Sequence, residues 1–137
     1  MQKYYLDSAI WLDHFEDRNV PNLPKGDWAH NVLNKITRED AKIIYSDLNL
    51  IEIGTVGYSK NEIENLFRPL KPLLIFVYAT DKQIGKAKDL AAKRNIPRGD
   101  ALNAIIARDN KAILVTLDKH FQKLLDIIKP VSPKEFI

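Results

Sequence analysis

The chain has no cysteine among its 137 residues. Disulfides, thiolate metal sites and cysteine nucleophiles are therefore excluded. It also lacks a long apolar run: the longest, Leu73 to Ala79, is far below the roughly 20 residues of a membrane helix. The N-terminal Met1-Gln2-Lys3-Tyr4-Tyr5-Leu6-Asp7 becomes charged too soon for a signal peptide, so a cytoplasmic protein is expected. The three histidines, His14, His30 and His120, show no H-E-x-x-H or other metal-ligand spacing. His14 and His30 are expected on the surface or in loops, and His120 is expected to be solvent-exposed. No linker, repeat or low-complexity segment divides the chain, which fits one domain over residues 1–137.

What is present reads as strands alternating with helices. Residues 2–6 form a strand, followed by a helix through Ile10, Trp11, Leu12 and Phe15. Pro21, Pro24 and Gly26 mark a loop from Arg18 to Asp27, before a helix from Trp28 to Ile36. Lys42 to Ser46 is rich in β-formers, and Asp47 is placed to cap the next helix. Ser59-Lys60-Asn61-Glu62 and Thr80-Asp81-Lys82-Gln83 have the form of capping boxes, each opening a helix. Leu73 to Tyr78 suits a strand buried on both faces, and Ile113 to Leu117 another. After Pro97 comes an Ala-rich helix, and near the end a short helix through Phe121 and Leu124, then a short strand at Ile127-Ile128. Such alternation implies a three-layer α/β/α sandwich around four or five mostly parallel strands.

Four acids fall where the strand ends of such a sheet converge: Asp7, Glu52, Asp100 and Asp118. Ligands bind outside the carboxyl ends of the strands in open α/β sheets. Four carboxylates gathered there repel one another unless protonated or shared by a cation. Each acid also has an ordinary structural use. Asp7, Asp100 and Asp118 can cap helices, and Glu52, set in the apolar stretch Leu48 to Ile53, can pair with a lysine. Their coincidence points to a divalent metal, and oxygen ligands favour Mg²⁺ or Mn²⁺ over zinc. Ser8 and Thr116 lie beside the strand-end acids and are placed to orient a carboxylate. Removing those four acids leaves 14 against 21 basic residues, a surplus of seven that suits a polyanionic substrate. Lys82, Lys86 and Lys93 form a stripe that either tracks a phosphate backbone or is a solvated helix face.

The segments Tyr5-Leu6-Asp7-Ser8, Ser46 to Glu52, Gly99 to Ala104 and Val115 to Phe121 together resemble PIN-domain ribonucleases, especially VapC-type toxins of toxin–antitoxin pairs. The match spans almost the whole chain in the family's order. It implies a Mg²⁺- or Mn²⁺-dependent endoribonuclease with Asp7, Glu52, Asp100 and Asp118 as catalytic and metal-binding acids. Ser8 and Thr116 match supporting polar positions. It also implies a homodimer, an RNA substrate and a cognate antitoxin whose tail occupies the active-site groove. The chain departs from the family at Ala9, where many relatives carry a hydroxyl or amide. It departs again at His120, where many carry a further acid.

Two other classes bear comparison. A phosphoacceptor signalling domain also gathers acids at strand ends, but it needs a late strand-end lysine and an early acid pair. Here Lys129 precedes Pro130, and Asp7 has no acidic neighbour. A non-catalytic metal-binding PIN scaffold that holds RNA or a protein is the stronger alternative.

Overall fold

The computed structural model describes residues 1–136, and among these the elements alternate largely as expected. Strand β1 (Lys3–Leu6) leads into helix α1 (Ser8–Glu16), a small hairpin of β2 (Asn19–Val20) and β3 (Leu23–Pro24), and α2 (Lys25–Arg38). There follow β4 (Lys42–Ser46), α3 (Asp47–Thr55), α4 (Lys60–Phe67), β5 (Leu74–Val77), α5 (Asp81–Arg94), α6 (Arg98–Asp109) and β6 (Ile113–Val115). Strands β5, β4, β1 and β6 lie side by side in that order, all parallel. Tyr4 sits between Ile43 and Ile113, and Tyr5 between Ile44 and Leu114.

Because successive strand side chains point to opposite faces, β1 feeds two cores. Tyr4 and Leu6 join Ile43 in a core with Ile10, Trp11, Val32, Ile36 and Phe67 of α1, α2 and α4. Tyr5 joins Ile44 and Leu114 in a second core with α5 and α6. That is the three-layer sandwich. Helix α6 lies tight against the sheet, with Ala101, Ala104 and Ala107 fully buried beside Ile105 and Ile106. Small side chains allow that approach, and overpacking such a position costs about 1–3 kcal/mol.

Both capping boxes form: Ser59 with Glu62, and Thr80 with Gln83. The cap of α3 is Ser46, paired reciprocally with Asn49, and not Asp47. The Asp47 carboxylate instead accepts the Ala79 N–H at 2.9 Å, tying α3 to the chain after β5.

Four other expectations are corrected. The loop from Arg18 to Asp27 contains the β2–β3 hairpin, and α2 begins at Lys25, three residues before Trp28. Strand β5 packs on both cores but is only half-buried throughout, because it is the sheet edge. Ile127 and Ile128 form no strand; the late pairing comes at Val131, in a single parallel bridge to Val115. His14 is half-buried on α1, not on the surface or in a loop, while His30 is a surface residue of α2 with 38% of its side chain exposed; their Nδ1 atoms are 2.6 Å apart. Burial first, and His30 second, pull His14 down to about 4. Among the described residues, no helix is long and apolar enough to cross a membrane.

Candidate metal centre

The chain runs from β1 through β4 to β5 on one side, then returns to place β6 on the other side of β1. The carboxyl ends of β1 and β6 therefore flank the switch point of the sheet, where ligand sites form. Asp7 follows β1 directly. Its N–H is held by the Val115 carbonyl at 3.0 Å, and its own carbonyl accepts from Ile10. Its side chain makes no helix-capping bond. The carboxylate is buried, 6% exposed, and accepts the Thr116 hydroxyl at 2.9 Å.

Strand β6 ends at Val115, so Thr116 to Asp118 lie in irregular chain beyond the strand. Thr116 Oγ1 also accepts the Asp118 N–H at 3.0 Å, and Asp118 Oδ1 accepts the His120 N–H at 2.9 Å. Helix α6 starts at Arg98, two residues earlier than expected, which sets Asp100 in its first turn. Asp100 is buried, and its Oδ2 lies 2.8 Å from His120 Nδ1. The same nitrogen is 3.1 Å from Asp118 Oδ1. His120 is exposed, as expected, yet it bridges two of the four acids.

Glu52, half-buried on α3, accepts from Ser8 Oγ at 2.7 Å and Asn103 Nδ2 at 3.1 Å, both on its Oε1. Asn49 Nδ2 donates to Ser8 Oγ at 3.0 Å and to the Leu6 carbonyl at 3.3 Å. Behind them Tyr5, fully buried, donates to Asn103 Oδ1 at 2.5 Å and meets Ser46 Oγ at 2.8 Å. This fixes the Asn103 amide so that its N–H₂ faces Glu52. A side chain at Gly99 would put its Cβ 2.8 Å from Glu52 Oε2, so any larger residue there must displace that carboxylate. Asn49, Asn103, Tyr5 and Ser46 were not among the expected site residues. An amide in the apolar stretches of α3 and α6 is the signal that could have found the first two.

The electrostatics join the four acids. Burial pushes Asp7 up to about 7; the Thr116 hydrogen bond opposes this, and repulsion from Glu52, Asp100 and Asp118 adds to it. Asp100 rises to about 6 through burial and Asp118, with His120 opposing. His120 is in turn raised by its hydrogen bond to Asp100 and by the charge of Asp118. The closest set of potential metal ligands is Asp100, Asp118 and His120, whose donor atoms all lie within 4.8 Å of one another. Asp7 and Glu52 stand outside that trio, one turned to Thr116 and the other to Ser8 and Asn103. The donor set fits a divalent cation: two carboxylates and an imidazole, with Asp7 nearby carrying uncompensated repulsion. It is not oxygen-only, because His120 adds a nitrogen.

No protein-family model matches the chain, and no curated protein sequence does. Solved structures do. The fold is similar to VapBC2 from Rickettsia felis bound to a DNA fragment from its promoter, with TM-score 0.65 and 19% identity over 96% of this chain and 97% of that one. It is similar to a toxin–antitoxin complex from Klebsiella pneumoniae, with TM-score 0.67 and 18% identity over 95% and 97%. PAE2754 from Pyrobaculum aerophilum gives TM-score 0.58 and 17% identity over 98% and 92%. These near-complete matches show the fold, an α/β/α sandwich. The chain has a VapC-type PIN fold.

Proposed function

We propose that the chain is a Mg²⁺- or Mn²⁺-dependent endoribonuclease, the toxin of a toxin–antitoxin pair, acting in the cytoplasm as a homodimer. The observation that carries this reading is the convergence of Asp7, Glu52, Asp100 and Asp118, in which buried Asp7 rises to about 7. Burying unpaired carboxylates is costly, and a cation relieves that cost. The toxin–antitoxin structures of the same fold supply the antitoxin as the expected partner.

Asp100 and Asp118 would hold the metal, with His120 either joining them or giving up its place. Asp7 would complete the site from the β1 side, and Glu52 from α3. A bound cation lowers the pKa of a coordinated water and offsets phosphate charge. Thr116 keeps Asp7 oriented and favours its charged form. Ser8 and Asn103 occupy Glu52 Oε1, leaving Oε2 to accept a proton from the attacking water beside Gly99.

One observation favours the alternative of a non-catalytic scaffold. His120 already bridges Asp100 and Asp118 without a metal, and its pKa is raised by them, which favours an imidazolium in the place of a cation. The discriminating experiment is cleavage of a mixed RNA pool with Mn²⁺, Mg²⁺ or EDTA, alongside Asp7→Asn. Metal-dependent cleavage that the substitution abolishes is expected. Folded protein that cuts nothing in either metal would leave the scaffold.

A further inference from the structure

The cavity beside Asp118 has the features of a strand-binding subsite. We propose that it holds single-stranded polynucleotide on one side of the scissile phosphate, through Lys25, Lys119 and Lys134. This rests on the nuclease reading above. The cavity measures about 600 Å³, inside the roughly 300–1,000 Å³ range of small-ligand sites. Thr116 and Asp118 form part of its wall, so it adjoins the acidic centre directly. Its apolar lining comes from Trp28, Leu117 and Val131. The three lysines reach it from separate segments: the start of α2, the turn after β6 and the C-terminal turn Pro133–Phe136.

Among the described residues, none of the three lysines forms an ion pair with a carboxylate, whereas Arg18, Lys35, Arg68, Arg94 and Arg108 all do. Lys25 lies near enough to buried Asp13 to favour its charged form, without pairing with it. Lys134 lies instead over the Trp28 ring, its ammonium 5.3 Å from the centroid. An acidic centre repels a polyanion, so a strand entering it needs cations on its flank. Lysines supply point charges for phosphates without reading bases. Trp28 is buried with Lys134 over its ring, so a strand drawing Lys134 onto a phosphate changes the surroundings of that indole. The other tryptophan, Trp11, is fully buried in the first core and does not respond.

The test is binding of a fluorescein-labelled, mixed-sequence RNA of about ten nucleotides to the full chain in EDTA, read by anisotropy and tryptophan emission. A variant carrying Lys25→Ala, Lys119→Ala and Lys134→Ala is compared with one carrying Lys82→Ala, Lys86→Ala and Lys93→Ala, which removes equal charge from α5. At about 50 mM salt the cavity variant is expected to bind at least about 10-fold more weakly. Its log–log salt slope should be shallower by about 2, at roughly 0.7 for each phosphate that a lysine no longer neutralises. The α5 variant should change by less than about 3-fold, since its lysines lie outside the site. Equal weakening in both variants, or no binding by the unsubstituted chain, overturns the subsite. So does lysine-dependent binding of an acidic peptide with RNA binding untouched, which assigns the cavity to a protein partner. Metal-dependent cleavage with undiminished RNA binding by the cavity variant overturns the subsite and leaves the nuclease. Lysine-dependent binding without cleavage in any metal overturns the nuclease and leaves the subsite.

Discussion

Thr116 Oγ1 donates to Asp7 Oδ2 at 2.9 Å and accepts the Asp118 N–H at 3.0 Å, so one hydroxyl positions two acids from opposite ends of the chain. Its hydrogen bond stabilises charged Asp7 against burial and three neighbouring acids. Thr116→Val keeps the shape and removes the bond, which raises Asp7 further above about 7. The Asp7 titration in the metal-free protein, followed by carboxyl NMR in EDTA, should move up by about one unit. Thr116→Ser should restore it, and an unmoved titration would show that the hydroxyl serves structure alone.

The same shifts make the metal-free protein less stable in base. Asp7 at about 7 and Asp100 at about 6 stand above their ordinary 3.8, so the folded chain keeps protons the unfolded chain has released. Each contribution is full below the unfolded value and is lost as pH rises through the folded one. His120, also raised, acts in the same direction. His14, lowered to about 4 from 6.5, opposes them only between those values. Thermal unfolding in EDTA should therefore show Tm falling from about pH 6.5 to 8, by roughly 4 °C or more. Asp7→Asn should flatten the fall, and Mn²⁺ or Mg²⁺ should raise Tm more at the upper pH.

Gly99→Ala tests how closely α6 must approach Glu52. The new Cβ would meet Glu52 Oε2 at 2.8 Å, so the carboxylate has to move. Displacement on the scale of an ångström costs up to about 100-fold in rate. The expected result is cleavage reduced by about 10- to 100-fold with Tm nearly unchanged, read from initial rates and a melting curve on the same preparation.

Gly85, in the middle of α5, is the contrasting case. A Cβ there meets nothing within 4 Å. Gly85→Ala should stabilise the protein by about 0.4–1 kcal/mol through the unfolded chain, with cleavage unaffected. A denaturant midpoint that fails to rise would show that α5 is constrained by something other than its own propensity.

Much of this architecture was legible because it rests on local rules. Ser59 with Glu62 and Thr80 with Gln83 announce helix starts, and the apolar run of β1 ends on an acid. The acids were legible as a coincidence of position. What stayed hidden depends on partners distant in sequence. Ser46 outcompetes Asp47 as a cap because Asp47 is drawn to the Ala79 N–H. Leu74 to Val77 reads as buried, yet no strand covers its outer side. The bridging role of His120 depends on Asp100, 20 residues away, and Asn103 meets Glu52 across 51.

Asp7 and its Thr116 partner are separated by 109 residues, and β1 finds β6 across the same gap. Contacts of such long range form late and at high entropic cost. No fragment shorter than residues 7–118 contains the whole acidic centre. A growing chain that has not yet released β6 therefore carries Asp7, Glu52 and Asp100 without Asp118 and without the site. For a protein proposed to cut RNA in the cell that makes it, the long way round the sheet acts as a safety interlock on unfinished copies.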